Sequence, residues 1–269
     1  MKFFSLITVC YNCRRELALT FESVLAQDCH DFEYIVIDGA SADDTVTVIK
    51  SYRDRFQANG IDFRWISEKD RGISDAFNKG IAMAQGEYVH LLNAGDTYLN
   101  HHSLAEIYDA IQARNRPEVI YGRMMQVNES GECSQIYGET FDRKHMWLRM
   151  LLAHPSTIVR RDFYEKCGGF NLEYRCAMDF DWVIRASRFT TPVFVDAIWT
   201  RMALGGVSDL RVYRAHRECC TIVIRHGRSR FAAYGNLVYR YLKTFIRLQC
   251  NKIGLNVLVK MYRKMDSRY

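Results

Sequence analysis

Tyr88-Val89-His90-Leu91-Leu92-Asn93-Ala94-Gly95-Asp96 is the stretch that decides the fold. Its first five residues form an apolar run of strand type. The run stops at a small-residue turn bearing one amide and one carboxylate. Strands buried on both faces have this near-continuous apolar pattern, and open α/β sheets bind ligands just beyond the carboxyl ends of such strands. Asp96 is therefore expected at the mouth of a crevice, on the rim of a rigid sheet, where it can meet a cation or a sugar hydroxyl. The alternative is an Asp that merely closes a type I turn. The neighbouring sequence separates the two.

Strand and helix alternate on the N-terminal side. Residues 3–9 are a predicted strand and 15–27 a helix, with Leu17, Phe21, Val24 and Leu25 at helical spacing. A second strand over 32–37 ends at Asp38-Gly39-Ala40-Ser41. Asp43-Asp44-Thr45 then opens a helix with acids at its positive end, carrying Val46, Ile49 and Tyr52. Residues 61–66 are a third strand, 74–84 a third helix, and 103–113 a helix leading into Val119-Ile120-Tyr121. Such alternation calls for an α/β fold, with a mainly parallel central sheet and helices on both faces. After Gly122 the pattern loosens. Strands at 124–128 and 133–137 around Glu129-Ser130-Gly131-Glu132 predict a hairpin. A strand at 156–160, a short helix at 162–166 stopped by Gly168-Gly169, a helix at 178–187 and a short strand at 193–195 follow. The last stretch is helical, with Tyr234, Val238, Tyr241, Phe245 and Leu248 in one stripe.

With 269 residues, 48% hydrophobic and 25% charged, the chain has the make-up of one large globular domain, alone or with an appendage. Three prolines and no Gly/Ser- or Pro-rich linker speak against two domains on a tether. The start of the chain lacks the features of a secretory signal, and no apolar run reaches the roughly 18 residues of a membrane span. A cytoplasmic protein is expected. Nine cysteines, an odd number, then predict free thiols in a reducing compartment. Cys10-Tyr11-Asn12-Cys13 has the spacing of a redox pair or half a zinc site, but no second pair with zinc spacing follows.

The ends of the first four strands bring together a set of polar groups. The first offers Thr8, Tyr11 and Asn12, and the second Asp38 and Ser41. The third offers Glu68-Lys69-Asp70-Arg71-Gly72 and a helix start with Asp75 and Asn78, and the fourth Asn93 and Asp96. An aromatic ring, carboxylates and helix N-termini suit a nucleotide: a base to stack on, ribose hydroxyls to hold, phosphates to neutralise. No GxGxxG follows the first strand and no GxxxxGK[ST] occurs anywhere, so neither usual phosphate cradle is present. A diphosphate held without one needs a divalent cation, and Asp96 is its natural anchor.

These residues resemble the nucleotide-sugar half of the family 2 glycosyltransferases. The likeness is carried by Thr8-Val9-Cys10-Tyr11-Asn12, by residues 36–45 around Asp38-Gly39-Ala40-Ser41, and by residues 67–80 around Glu68-Lys69-Asp70-Arg71-Gly72. Leu91-Leu92-Asn93-Ala94-Gly95-Asp96 falls where that family places its metal-binding DxD. The form is similar to bacterial enzymes of colanic acid and O-antigen synthesis. In the second half His154-Pro155-Ser156-Thr157, Gly168-Gly169-Phe170-Asn171, Ala177-Met178-Asp179-Phe180-Asp181 and Gly205-Gly206-Val207-Ser208 keep the family's order. The resemblance implies a GT-A, Rossmann-like domain over 1–208, with a nucleotide-sugar half (1–100) and an acceptor half (101–208). It implies inverting transfer from a nucleotide-sugar, UDP-linked in type, to a glycan acceptor, free or lipid-linked, with Mn²⁺ or Mg²⁺ as cofactor. Thr8, Tyr11, Asp38 and Asp70 would hold the nucleoside and Asp96 the metal, beside Asn93, which stands where the family has an acid. Asp75 and Asn78 line the donor pocket or only cap their helix. Asp179 matches the family's general base, with Met178 in place of the preceding Glu. His154 and Asp181 are candidates for acceptor contacts, or for structural roles.

Residues 209–269 hold 14 Lys/Arg against 3 acids, a net of +11, whereas residues 1–208 sum to −5. A basic helical tail with an apolar stripe suits an anionic membrane surface. Nucleic acid is not expected, since no nucleic-acid-binding motif accompanies the charge. An enzyme peripheral to the inner face of the cell membrane is therefore expected. Asn93 and Met178 leave one alternative, a non-catalytic sugar-nucleotide or polyanion-binding module with a decayed site. A nucleotidyltransferase would need a Gly-rich first loop, which residues 8–15 lack.

Overall fold

The computed structural model describes residues 2–128, 131–203 and 211–252. The hairpin residues Glu129 and Ser130, the Gly205-Gly206-Val207-Ser208 motif and residues 253–269 lie outside the described residues. The chain divides into two units, Met1–Asp209 and Leu210–Tyr269.

The first unit begins with β1 (Phe4–Cys10), α1 (Arg14–Leu25), β2 (Phe32–Asp38), α2 (Thr45–Ala58), β3 (Asp62–Ser67), α3 (Ile73–Met83) and β4 (Tyr88–Leu91). It continues with β5 (Thr97–Tyr98), α4 (Ser103–Gln112), β6 (Val119–Val127) and β7 (Cys133–Tyr137). A 3₁₀ turn (His154–Ser156), β8 (Thr157–Arg160), α5 (Arg161–Cys167), α6 (Met178–Ala186) and β9 (Val193–Ala203) complete it. The described strands form one sheet in the order β3-β2-β1-β4-β8-β6-β9-β5, with β7 on β6.

The first four strands are parallel, in a register that sets Cys10 beside Asp38 and Asp38 beside Ser67, so their carboxyl ends lie level. Beyond β4 the sheet is mixed. β8 runs antiparallel to β4 and β6, β5 antiparallel to β9, and only β6 and β9 are parallel. The expected mainly parallel sheet thus describes the first half alone. The reason lies in the connections: parallel neighbours need a crossover, whereas the hairpin and loop that follow β6 let strands return antiparallel.

Alternation along β1 and β2 fixes the layers. Phe4 and Leu6 with Tyr34 and Val36 form one core with Leu17, Phe21 and Val24 of α1, Ile49 and Phe56 of α2, and Leu104, Ile107 and Ile111 of α4. Phe56 stacks on Phe63 at 4.7 Å and meets Phe21 edge-on at 5.4 Å. Each such buried ring contributes about 1.5–3 kcal/mol. On the opposite face Ile7 and Ile37 meet α3, which approaches so closely that a Cβ on Gly80 would lie 2.4 Å from Ile7 Cγ2.

Two expected strands are longer than their sequence suggests. Val119-Ile120-Tyr121 and residues 124–128 are one strand, β6, because Gly122 is no break. Trp199 lies over it, with Cε3 2.6 Å from where a Cβ would be. β9 extends past the expected 193–195 to Ala203; its apolar run is interrupted by exposed Asp196, which pairs with Arg123 of β6. The two-residue β5 was too short to leave a pattern.

The second unit holds α7 (Val212–Arg225) and α8 (Arg230–Lys252), of which α7 was not resolved from the sequence. His216 Nε2 and Thr244 Oγ1 are 2.9 Å apart, and the rings of Tyr213 and Tyr241 meet at 5.1 Å. Tyr241 therefore leaves the expected stripe and faces α7. The open face of α8 is instead Phe231, Tyr234, Val238, Leu242 and Phe245, each more than half exposed. Among the described residues no helix is long and apolar enough to cross a membrane.

Candidate active site

At the carboxyl ends of β1–β3 the Asp70 and Tyr11 side chains close on Gly39. Asp70 Oδ1 accepts from Gly72 N at 2.7 Å, while Asp70 Oδ2 lies 2.6 Å, and Tyr11 Cδ2 3.3 Å, from the place a Cβ on Gly39 would occupy. A bare backbone floor is thus flanked by a carboxylate and by an aromatic ring that is 63% exposed. Gly72, with φ +106°, is covered in turn by Arg175, whose Nη1 would stand 2.0 Å from a Cβ there. No sequence signal singled out Arg175.

Thr8 lies near the end of β1 and Asp38 is the last residue of β2. The Thr8 hydroxyl is buried, bonded to Leu92 O at 2.7 Å and Tyr34 OH at 2.8 Å. The Asp38 carboxylate, also buried, accepts from Ser41 N at 3.0 Å, from Ser41 Oγ, and from Ser67 Oγ at 2.6 Å. Both side chains were expected at a nucleoside. Here they fasten the chain at the strand ends, Thr8 to Leu92 and Asp38 to Ser41 and Ser67.

Asp75 and Asn78 are likewise turned to the protein. Asp75 accepts from Arg71 N at 3.0 Å, and that hydrogen bond holds its carboxyl below the usual range. Asn78 clamps Phe170 from both sides: its amide donates to Phe170 O and its carbonyl accepts from Phe170 N, each at 2.8 Å. Gly169 has no room for a side chain beside this clamp, a Cβ falling 2.3 Å from Asn78 Oδ1.

The turn after β4 holds Asn93 and Asp96. Thr20 of α1 fixes it: its hydroxyl donates to Asp96 O at 2.8 Å and accepts from Gly95 N at 2.9 Å. The signal for Thr20 was a polar residue on the apolar face of α1, between Leu17, Phe21 and Val24. Asp96 is 4% exposed, and its Oδ2 accepts from Asn93 Nδ2 at 3.2 Å. Burial raises this carboxyl to about 7, against the smaller opposing effect of the Asn93 hydrogen bonds. Asn93 Oδ1 is buried without a hydrogen-bond partner. A desolvated carboxylate and an orphaned amide oxygen in one turn are a poor arrangement for an empty protein and a good one for a hard cation. No cluster of three or more His, Cys, Asp or Glu suited to a metal occurs among the described residues. The pair therefore fits an ion that takes its remaining ligands from phosphates and water, as Mg²⁺-type ions commonly do.

Asp179 opens α6, and its Oδ1 accepts from Phe180 N at 2.8 Å. It borders a small cavity of about 20 Å³ together with Leu91, His154, Phe170 and Trp182. This brings it to the end of β4, beside the His154 turn. The His154 ring lies 5.3 Å from Phe77 and 6.2 Å from Phe170, and burial lowers it to about 4, so it is neutral at pH 7 and offers hydrogen bonds without charge. Asp181 is buried and accepts from Arg185 Nε at 2.9 Å. Arg185 donates onward to Cys167 O at 2.7 Å and Gly169 O at 2.6 Å. Asp181, a candidate for acceptor contact or a structural role, thus acts on the Gly168-Gly169 turn through Arg185.

His90, in the middle of β4, secures the same region. Its Nε2–H donates to Pro155 O at 2.8 Å, so Nδ1 accepts from Tyr98 OH at 3.0 Å. Burial lowers it to about 4 from 6.5. The unfolded chain is then protonated first as pH falls. The stability is complete above pH 6.5 and is lost between there and pH 4, by about 3 kcal/mol. The variant His90→Gln, which can keep both hydrogen bonds, is expected to lose correspondingly less stability over that interval in urea titrations. Equal losses in both proteins would remove His90 as the cause.

Residues 5–170 match the family model described as "Glycosyl transferase family 2". A "PGL/p-HBAD biosynthesis glycosyltransferase" of Mycobacterium bovis is 27% identical over 192 residues, 71% of this chain and 72% of the relative. The "Chondroitin synthase" of Escherichia coli is 22% identical over 90% of this chain, which spans 34% of it. Among solved structures the fold is shared with S. aureus TarS 1-349 in complex with UDP-GlcNAc (TM-score 0.63, 19% identity, 89% of this chain and 71% of that one). It is shared also with the mannosyltransferase PcManGT from Pyrobaculum calidifontis in complex with GDP-Man and Mn²⁺ (TM-score 0.66, 16% identity, 88% and 70%). With well over half of its length matched by that family, the chain belongs to the family 2 glycosyltransferases.

Proposed function

We propose that the first unit, through residue 208, transfers a sugar with inversion from a UDP-type nucleotide-sugar to a glycan hydroxyl, in the synthesis of a surface polysaccharide. The observation that carries this is the Asn93–Asp96 turn, where a buried carboxylate and an unpartnered amide oxygen await a cation on the sheet edge that also carries Tyr11 and Asp70. The ligands of the two structural relatives, a UDP-sugar in one and a GDP-sugar with Mn²⁺ in the other, support the donor class.

In this mechanism the Tyr11 ring stacks on the base and Asp70 Oδ2 accepts from it. Asp96 and Asn93 Oδ1 would hold the divalent ion, which supplies charge neutralisation for the departing diphosphate when bound. Asp179 takes the proton from the acceptor hydroxyl as that oxygen attacks the anomeric carbon, and the bond to the diphosphate breaks on the opposite side. His154, neutral, orients the acceptor. The α3–Phe170 clamp and the Arg185 fan hold the two halves of this site in register. The test is incubation with a panel of UDP- and GDP-sugars with and without Mn²⁺, following nucleotide release in the presence of glycan acceptors. Nucleotide binding with no turnover on any acceptor would favour the non-catalytic module.

The tail is assigned to an anionic membrane surface, which suits a lipid-linked acceptor at the inner face of the membrane. The open apolar face of α8 is backed by a polar side with Arg240, Lys243 and Arg247. Each cation near such a surface is worth about 1 kcal/mol. Deleting residues from Ser229 onward is expected to abolish sedimentation with phosphatidylserine vesicles and leave UDP binding unchanged. High salt should weaken attachment of the full chain. Failure of the full chain to sediment at low salt would remove the membrane assignment.

A further inference from the structure

The segment between β7 and the 3₁₀ turn, residues 138–153, is tied to the sheet and to the end of α6. Tyr121 OH, on β6, donates to Glu139 O at 2.6 Å, and Glu139 N donates to Leu151 O at 3.3 Å, closing the loop on itself. Arg143 Nη2 donates to Thr191 Oγ1 at 3.2 Å and to Thr190 O at 3.4 Å, just past α6. Within these ties the loop walls an open pocket of about 490 Å³, to which Glu139, Phe141, Asp142, Arg143, Arg149 and Leu151 contribute. That volume lies within the range of small-molecule sites. The pocket is next to the proposed reaction centre. Met150 lines the cavity that Asp179 and His154 border, and its chain neighbours Arg149 and Leu151 line the pocket.

The polar lining is paired within itself. Arg149 Nη2 donates to Glu139 Oε2 at 2.7 Å, and His145 Nδ1–H donates to Asp142 Oδ2 at 2.6 Å. Two carboxylates face two guanidiniums, so the formal charges cancel and nothing is left over to neutralise a phosphate or a carboxylate ligand. What the pocket offers is carboxylate oxygens that accept and guanidinium N–H groups that donate, the latter in fixed planar forks. Phe141 and Leu151 add an apolar wall. Adjacent hydroxyls on a sugar ring both donate and accept, and the C–H faces of the ring pack on apolar side chains.

We infer that this pocket binds a neutral sugar of the acceptor glycan, the one next to the sugar whose hydroxyl meets Asp179, so that acceptors of two or more sugars are preferred over monosaccharides. The inference deepens the transferase reading given above and rests on it. Glu139 accepts from one hydroxyl of that second sugar, and Arg143 donates to the oxygens of its neighbours. Both are charge-assisted hydrogen bonds, the stronger kind. The loop is already tied down, so binding costs little ordering and the strength of these bonds is kept in the affinity.

The experiment uses the full chain with cellobiose, lactose, chitobiose and mannobiose, and with their component monosaccharides. Saturation-transfer NMR in the presence of UDP reads binding, and nucleotide release from the donor panel above reads transfer. Disaccharides are expected to show saturation in both rings. Those that accept a sugar are expected to have kcat/KM about tenfold above their monosaccharides, the worth of one hydrogen bond to a charged group. Arg143→Ala and Glu139→Gln are expected to remove that advantage by raising KM with kcat held, while UDP affinity by calorimetry stays that of the unaltered chain. The second variant keeps an amide oxygen for Arg149 and the main-chain bond from Tyr121, so it tests the pocket with the loop ties in place. Absence of saturation in every disaccharide, equal kcat/KM for mono- and disaccharides, or binding undiminished in both variants would overturn the subsite. Displacement of a bound disaccharide by inorganic phosphate would make the pocket an anion site and overturn the neutral-sugar assignment. If no acceptor releases nucleotide while disaccharides bind and both variants lose that binding, the transferase reading fails and the acceptor preference with it, and the pocket stands as a sugar site.

Discussion

Asp179→Asn is expected to keep donor binding and to lose turnover by about two to four orders of magnitude, the usual worth of a general base. The substitution preserves shape, and an amide oxygen can still accept from Phe180 N as Asp179 Oδ1 does at 2.8 Å. What it removes is the ability to take a proton from the acceptor hydroxyl. Met178, buried before it, has no proton chemistry with which to substitute. The two halves of the measurement separate the roles: nucleotide affinity by calorimetry should be unchanged, while kcat collapses. A fall of less than about tenfold with a natural acceptor would assign the base elsewhere. A fall in nucleotide affinity equal to that in turnover would mean that the α6 start positions the donor rather than the proton.

Much of this site was legible because its residues follow buried strands. The apolar runs of β1, β2 and β4 fix where each strand stops, and the polar residues immediately after them are delivered to one edge. What a pattern of period two could not give was the direction of individual side chains at that edge. Thr8 and Asp38, expected at a nucleoside, are buried and hydrogen-bonded within the protein, while Tyr11, one turn further on, is the exposed ring. Contacts formed between distant segments were illegible for a different reason. Asn78 on Phe170, Arg175 over Gly72 and Arg185 on the Gly168-Gly169 turn join residues some 16 to 103 positions apart, and none leaves a local periodicity. In the second half, the sheet turned from parallel to mixed where loops replaced helical crossovers, and Gly122 was taken for a break because its close partner, Trp199, is 77 residues away.

Asp96→Ala is expected to abolish both transfer and the cation-dependent part of UDP binding, with the fold retained. The carboxylate contributes little packing. Its turn is held by Thr20 through main-chain atoms, which the substitution does not touch. Its removal should even help the protein alone. An Asp raised from 3.8 to about 7 holds a proton in the folded chain that the unfolded chain has already released. Stability therefore falls as pH rises from about 4 to 7 and stays reduced above, by an amount on the order of 4 kcal/mol. Asp96→Asn, which keeps the size and can accept from Asn93, escapes that penalty and is expected to unfold at a higher temperature than the unaltered chain at pH 8 without metal. Adding Mn²⁺ with UDP should reverse the order, stabilising the unaltered chain by binding and leaving the variant where it was. The same function–stability opposition explains why a carboxylate stands in a dry turn with only one amide for company. Undiminished Mn²⁺-dependent UDP affinity in Asp96→Ala, measured by calorimetry, would remove Asp96 as the ligand. A variant no more stable than the original at pH 8 would mean that water or a neighbouring donor already relieves the buried charge.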